Sequence, residues 1–215
     1  GSDAPLFTYS VTIQNHQAYG YGKYDERPAP VPLSVSVSDG AMEQLSVYME
    51  GVRDSSEMLV ALTQYLDTLD EPTVLVFFGD HRPNLGTACT ELGLRYNLNE
   101  TPQETVDTYA VPYVIWSNEA YASAVDLPAR YAALALPENG YLSDNYLGAM
   151  VLQLIGYHGQ SAFFDELNAL RAELPVLRER EATYCLADGT YTDTLPPELA
   201  AAVSRLHKWT YYLLK

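Results

Sequence analysis

The order of predicted elements indicates an α/β fold in which a mostly parallel sheet is flanked by helices. The main observation is a continuous apolar run over 73–78, which is typical of a strand covered on both faces. Helical periodicity before and after this run supplies the flanking layers. The composition, 47% hydrophobic and 19% charged residues in a 215-residue chain, is that of a folded domain with a sizeable core.

The first half of the chain is predicted to alternate strand, loop, helix and strand. Residues 6–13 are rich in β-branched and aromatic side chains and predict a strand. A Gly-, Pro- and Tyr-rich loop covers 19–38. Apolar residues then recur every three to four positions over 41–69, which predicts one amphipathic helix or two consecutive ones. Pro72 ends this helical region before the strand at 73–78.

The second half is predicted to be mainly helical, with a small C-terminal hairpin and helix. Residues 84–108 are polar and irregular apart from one short helix. The predicted elements, in chain order, are a helix at 102–106, a strand at 111–116, helices at 143–155 and 161–174, a hairpin at 184–192 and a helix at 196–214. Ser143 is the expected cap of the helix that begins there.

The chain is expected to be one portion of a longer protein. Gly1 and Ser2 resemble a cloning remnant, so residues 1–5 are a lead-in and 6–215 form the folded portion. The predicted strand starts directly after this lead-in, and natural domains rarely open so abruptly. No apolar run approaches the roughly 20 residues of a membrane span, and no signal peptide is recognisable.

The charge balance argues against nucleic acid as a partner. Twelve Lys and Arg residues stand against 28 Asp and Glu residues, which gives a net charge of −16. A field of this sign repels phosphate backbones, although a bound cation can reverse it locally. Cys89 and Cys185 are too few for a disulfide scaffold and are expected to be buried thiols, with a single bridge as the alternative.

Residues capable of chemistry follow two of the predicted strands. Asp80, His81 and Arg82 follow the strand at 73–78, and His16 follows the strand at 6–13. A carboxylate beside an imidazole suits Mn²⁺ or Zn²⁺, and suits Mg²⁺ less well. Spacing alone favours the plainer interpretation, in which Asp80 caps a turn and both histidines are ordinary polar residues at strand ends.

Five sequence blocks together carry a more specific signal. Residues 73–86, TVLVFFGDHRPNLG, resemble the GDH block of the lipoteichoic acid synthase-like branch of the sulfatase family, within the alkaline phosphatase superfamily. Residues 7–19, FTYSVTIQNHQAY, are similar to the NH block of that family. Three further blocks match in the same order, at 48–59, 111–118 and 142–148. The resemblance covers roughly residues 6–175 and is loose beyond Pro175.

The resemblance implies a metal-dependent phosphoglycerol transferase or phosphoester hydrolase. It assigns a divalent cation, most often Mn²⁺, to Asp80 and His81, and contact with the substrate phosphate to His16. Proteins of this branch are anchored in a bacterial membrane with the catalytic domain outside the cell. Their glutamate ligand and threonine nucleophile precede the NH block, so the missing N-terminal half of the domain would supply them. This chain by itself is therefore expected to be inactive.

Three features depart from the family pattern or add to it. Ser56 stands where the pattern has an aspartate, and the Cys/Ser-x-Pro-x-Arg signature of sulfatase nucleophiles follows neither cysteine. Arg82 is not part of the block; it either clamps a phosphate oxygen or is a solvated arginine. Expected substrates are a phospholipid or other phosphoester donor and a glycan. Sulfate-ester hydrolysis and a degenerate, non-catalytic binding module remain as alternatives.

Overall fold

The computed structural model describes residues 5–95 and 100–213, and these form two compact units. Unit 1 comprises 5–68 and 83–95, and unit 2 comprises 69–82 and 100–213. Residues 1–4 of the predicted lead-in and residue 214 of the predicted last helix lie outside the described residues. No helix within the described ranges is both long enough and apolar enough to cross a membrane.

Unit 1 is built on α1, a single helix over Asp39–Leu66. It begins where the Ser38 hydroxyl accepts a hydrogen bond from the Ala41 amide at 3.2 Å. The short helix α2, Thr87–Glu91, packs on α1. Glu91 accepts hydrogen bonds from both the amide (2.7 Å) and the hydroxyl (2.6 Å) of Ser38, and these bonds lower the pKa of the Glu91 carboxyl. The predicted helical region is therefore confirmed as one helix.

The predicted strand at 6–13 is wrong for this structure. The segment has no regular secondary structure, and its large apolar side chains are exposed, with Leu6 at 90% and Phe7 at 85%. Strand-forming residues give a strand only when a neighbouring strand supplies main-chain hydrogen bonds. No sheet within the described residues includes this segment.

Within unit 1, a hydrogen bond and close packing hold the turn at Asn15 and His16 against α1. The Gln14 amide donates to Asp54 at 2.6 Å, and the Tyr19 hydroxyl donates to the Asn15 carbonyl at 2.9 Å. The Asn15 side chain lies so close to α1 that a Cβ at Gly51 would stand 2.4 Å from Asn15 Oδ1. Glycine at position 51 is therefore what lets the turn approach the helix.

Unit 2 contains six α-helices, one 3₁₀ helix over Asp144–Tyr146 and five strands within its described residues. The helices are α3 Pro102–Tyr109, α4 Glu119–Ala124, α5 Leu127–Ala133, α6 Leu147–Leu154, α7 Ala162–Glu173 and α8 Pro197–Leu213. The strands are β1 Val74–Phe78, β2 Tyr113–Ser117, β3 Val176–Arg178, β4 Thr183–Cys185 and β5 Tyr191–Thr192. The predicted elements of the second half are thus present, and α2, α4 and α5 are additional.

The prediction of a mostly parallel sheet is not confirmed. Every strand pairing in the described ranges is antiparallel: β1 pairs with β2, and β3, β4 and β5 form a second sheet. β1 is only partly buried, and Phe78 at its end is exposed. A continuous apolar run predicts a buried strand but does not specify the direction of the strand that pairs with it. Here β2 runs antiparallel to β1, with Val74 opposite Ser117 and Phe78 opposite Tyr113.

The predicted hairpin is confirmed. The turn at Asp188-Gly189 joins β4 to β5, and Gly189 has a φ of +84°, a conformation that glycine adopts without strain. The two cysteines are free, buried thiols, as expected. Ser143 stands at the N-cap position of the 3₁₀ helix over Asp144–Tyr146, but its side chain makes no capping hydrogen bond: its hydroxyl donates to the Leu177 carbonyl and accepts from the Leu177 amide of β3.

The main core of unit 2 lies between α6, α7 and α8. Its buried members include Tyr146 and Leu167, with Val203 and Leu206 contributed by α8. Arg171 is also buried, and its guanidinium donates to the Leu134 carbonyl and, at 2.8 Å, to Gln153. Burial lowers the pKa of Arg171, and these neutral acceptors stabilise the guanidinium by hydrogen bonding.

Asn118 joins the entry to β1 to the exit from β2. Its buried side-chain oxygen accepts from the Thr73 amide at 2.9 Å and, as the N-cap of α4, from the Tyr121 amide at 3.0 Å. Its amide nitrogen donates to the carbonyls of Leu69 at 3.2 Å and Glu71 at 2.8 Å. One side chain thereby satisfies four main-chain groups from two segments, the one that leads into β1 and the first turn of α4.

We expect Asn118→Ala to lower the free energy of unfolding by about 3 kcal/mol, because several buried main-chain groups lose their partner at once. Asn118→Asp keeps one acceptor oxygen but turns the other carboxylate oxygen towards the Leu69 and Glu71 carbonyls in a buried site, so it should not restore wild-type stability. Urea unfolding followed by circular dichroism measures both variants. An alanine variant as stable as wild type would contradict this role.

Gly51→Ala should destabilise unit 1 by about 1–3 kcal/mol, because the new methyl group would overlap the Asn15 side chain. Gly40→Ala is the matched control, since it lies in the same helix and its Cβ would have no atom within 4 Å. That control should be neutral or stabilising by up to about 1 kcal/mol, through helix propensity. Equal stability of the two variants in urea unfolding would exclude the close approach.

Candidate functional site

Asp80 and His81 leave the end of β1 at a point where the main chain is tightly held. The Gly79 amide donates to the Pro112 carbonyl at 3.2 Å, which extends the β1–β2 pairing by one bond. A Cβ at Gly79 would stand 3.3 Å from the Val111 Cβ, so glycine permits this approach. The two residues that follow are consequently presented at one end of the β1–β2 sheet.

The Asp80 and His81 side chains form a local pair. Asp80 Oδ1 accepts a hydrogen bond from the His81 amide at 2.9 Å, and its Oδ2 lies 3.6 Å from His81 Nε2. His81 Nδ1 lies 2.9 Å from the Arg82 carbonyl oxygen. A carbonyl can only accept, so Nδ1 carries the proton and Nε2 of the neutral ring has a free lone pair.

This geometry fits two ligands of a divalent cation. Carboxylate and imidazole atoms bind such ions at about 2.0–2.2 Å, and a carbonyl holding the second ring nitrogen is the usual support of a histidine ligand. Both side chains are accessible, Asp80 at 82% and His81 at 65% exposure. Within the described ranges, no group of three or more His, Cys, Asp and Glu side chains is placed to hold a metal. The pair therefore supplies about half of a four-ligand shell.

Arg82 is held by the main chain of the same unit. Its Nε donates to the Ala110 carbonyl at 3.1 Å, and its side chain is exposed. A guanidinium has five N–H donors, so most of them remain available beside the Asp80–His81 pair. The structure thus places Asp80, His81 and Arg82 together, and this arrangement suits a cation and an anionic oxygen side by side.

His16 belongs to unit 1, in the turn that follows the segment 6–13. The His16 amide donates to the Ile13 carbonyl at 3.1 Å, and Nδ1 lies 2.7 Å from the Gln17 carbonyl oxygen. The same argument as for His81 leaves Nε2 of the neutral ring as an acceptor. His16 is exposed and lines a cleft of about 610 Å³ within this unit.

The same cleft contains Lys23, which the sequence analysis did not single out. Lys23 follows His16 by seven residues, in a short 3₁₀ turn over Tyr21–Lys23. Its ammonium donates to the His16 carbonyl and lies 5.3 Å from the centre of the Tyr19 ring. Partial burial lowers the pKa of this ammonium. The available signal was its rarity, since the sequence has only three lysines.

The serine that departs from the family pattern has an ordinary structural role. Ser56 is exposed on α1, and its hydroxyl donates to the Val52 carbonyl one turn earlier, at 2.8 Å. Such a bond satisfies the hydroxyl locally. The structure gives no function to this position.

Comparison of the sequence with known proteins identifies a family. The sulfatase family model matches residues 1–157, well over half of the chain. A Rhizobium meliloti (strain 1021) protein, provisionally named a cyclic beta-1,2-glucan modification protein, is 26% identical over 151 residues. That alignment covers 67% of this chain and 23% of the relative, so the chain spans about a quarter of the relative's length. No solved structure gives a significant match.

Sulfatase-family domains have an alkaline phosphatase-like α/β fold, and the enzymes of the family depend on metal ions. The matched region contains β1, β2 and the Asp80–His81 pair. On the extent of this match, the chain belongs to the sulfatase family.

Proposed function

We propose that this chain is part of a metal-dependent enzyme that transfers or hydrolyses a phosphoester. The observation that carries the proposal is the Asp80–His81 pair, in which a carboxylate oxygen and the ring nitrogen Nε2 stand 3.6 Å apart at the end of β1. Asp80 and His81 would hold the cation, with Mn²⁺ the first choice and Zn²⁺ or Mg²⁺ the alternatives. A divalent cation bound there supplies charge neutralisation at the phosphoester oxygens.

The remaining residues of the proposed site act on the substrate. Arg82 would bind a phosphate oxygen through the donors that Ala110 does not occupy. His16, a residue of unit 1, is proposed separately as a substrate-binding residue: its Nε2 accepts from a substrate hydroxyl in the neutral ring and donates to a phosphate oxygen in the protonated ring. In the reaction, a P–O bond to the donor breaks and a P–O bond to an acceptor hydroxyl or water forms. The acceptor's proton leaves with the donor alcohol.

The finer proposal is transfer of a phosphoglycerol-type group from a phospholipid to a glycan, outside the cell membrane. It is supported by the five-block resemblance to the lipoteichoic acid synthase-like branch and by the name of the Rhizobium meliloti relative, which refers to glucan modification. A glucan is therefore the acceptor we propose to test first. We propose that the nucleophile comes from a part of the parent protein outside this chain.

We expect Asp80→Ala in the full-length protein to reduce turnover of a phosphodiester substrate by at least about 100-fold, because the metal shell loses a charged ligand. Asp70→Ala removes the same charge from an exposed position of unit 2 and should leave turnover unchanged. In calorimetric titration, Asp80→Ala should bind Mn²⁺ more weakly than wild type, and Asp70→Ala should bind it with wild-type affinity. Full activity of the Asp80 variant would refute the assignment, and turnover of sulfate esters but not phosphoesters would favour the sulfatase alternative.

The 215-residue chain alone should show no phosphodiester turnover in the presence of Mn²⁺, because Asp80 and His81 are two ligands of an incomplete shell. The comparison uses the full-length protein at the same molar concentration and the same chromogenic phosphodiester. Equal turnover by the two proteins would show that the 215-residue chain already contains a complete site. A full-length protein with no turnover of any ester, and no bound metal, would support the binding-module alternative.

A further inference from the structure

The cleft beside His16 differs electrostatically from the rest of the chain. The sequence has 28 acidic residues and a net charge of −16, yet none of the residues that line this cleft is acidic. One of the three lysines of the sequence, Lys23, lines it together with His16. In so acidic a chain, a cleft without carboxylates that contains an ammonium group indicates a site for negative charge.

Contacts within unit 1 hold the Lys23 ammonium at this cleft. It donates to the His16 carbonyl and stands over the Tyr19 ring, whose face attracts a cation. Within the described residues, Lys23 forms no ion pair with a carboxylate. Glu43, the acidic residue next to Gly20, accepts instead from the Tyr21 amide at 2.7 Å. The three donors of an ammonium thus retain capacity for a ligand.

In its neutral form, His16 supplies no positive charge to the cleft. Because Nδ1 is held by the Gln17 carbonyl, Nε2 of the neutral ring is an acceptor and cannot donate to a phosphate oxygen. It can accept from a hydroxyl group. The cleft therefore combines one cationic donor, Lys23, with one neutral acceptor, His16.

We infer that Lys23 binds an anionic oxygen of the substrate in the His16 cleft, so that this cleft recognises a phosphate-type group. The inference rests on the proposed function for the identity of the substrate, but the binding of an anion does not. The contrasting interpretation is that Lys23 only ties the turn together through the His16 carbonyl.

The test measures binding of inorganic phosphate to the 215-residue chain by NMR, through the His16 ring proton and the amides of Gly20 and Gly22. Lys23→Met should weaken phosphate binding about tenfold, since a hydrogen bond to a charged group is lost. Lys23→Arg should retain most of the affinity. Lys208→Met is the matched control, because it removes the same charge from an exposed position in unit 2.

Salt dependence separates recognition from a purely structural role. Phosphate affinity of the wild type should fall as NaCl rises from about 20 to 200 mM, because screening weakens a direct charge contact. Lys23→Met should show a weaker salt dependence than both wild type and Lys208→Met. Unchanged phosphate affinity or unchanged salt dependence in Lys23→Met, in a protein whose unfolding midpoint matches wild type, would overturn the inference.

The activity of the full-length protein distinguishes the proposed metal-dependent function, which rests on Asp80, from the inferred anion site at Lys23. If Lys23→Met raises KM for the phosphodiester with little change in kcat, the inference holds within the proposed function. If Asp80→Ala keeps full activity while phosphate binding still depends on Lys23, the proposed metal site fails and the anion site stands. If Asp80→Ala is inactive and Lys23→Met is indistinguishable from wild type in both assays, the proposed function stands and the inference fails.

Discussion

The Asn118 side chain is the constraint on which the placement of the candidate metal ligands depends. It binds the main chain just before β1 and caps the helix just after β2, so it fixes where one strand starts and the other ends. Once those ends are fixed, the antiparallel register from Val74 to Phe78 determines the point at which the chain leaves the sheet. Asp80 and His81 emerge two and three residues later, at a position set by a buried amide far along the sequence.

The two histidines of interest use the same local device. In each, Nδ1 is held by the carbonyl oxygen of the next residue, Gln17 for His16 and Arg82 for His81. This contact needs no distant partner, so it is available as soon as the turn forms. In the neutral ring it leaves Nε2 with a lone pair in both cases, which suits metal binding at His81 and acceptance of a hydrogen bond at His16. The two imidazole rings are thus held in the same way, and the residues around each ring determine its proposed role.

Local signals in the sequence predicted the helices well, and strand partners poorly. The periodicity over 41–69 predicted α1, and the Asp188-Gly189 pair predicted the hairpin, because both depend on nearby residues. The direction in which strands pair, and whether residues 6–13 form a strand at all, depend on partner strands that periodicity does not specify. Helices α4 and α5 escaped notice although Asn118 and Asp126 cap them, since each is short and weakly periodic. The adjacency of Asp80, His81 and Arg82 followed from sequence alone, whereas the contribution of Lys23 required the folded turn.

The exposed segment at 6–13 has a consequence for how the chain behaves in solution. Five large apolar side chains there face solvent, and the segment is paired with no strand in the described residues, so it offers a template for another chain. Mutual repulsion between copies carrying a charge of −16 opposes that contact at low ionic strength. Added salt shortens the range of this repulsion to about 8 Å near physiological strength, while leaving apolar attraction intact. Colloidal stability of the isolated polypeptide is therefore governed by its electrolyte, and dilute buffers are the conditions that keep it monodisperse.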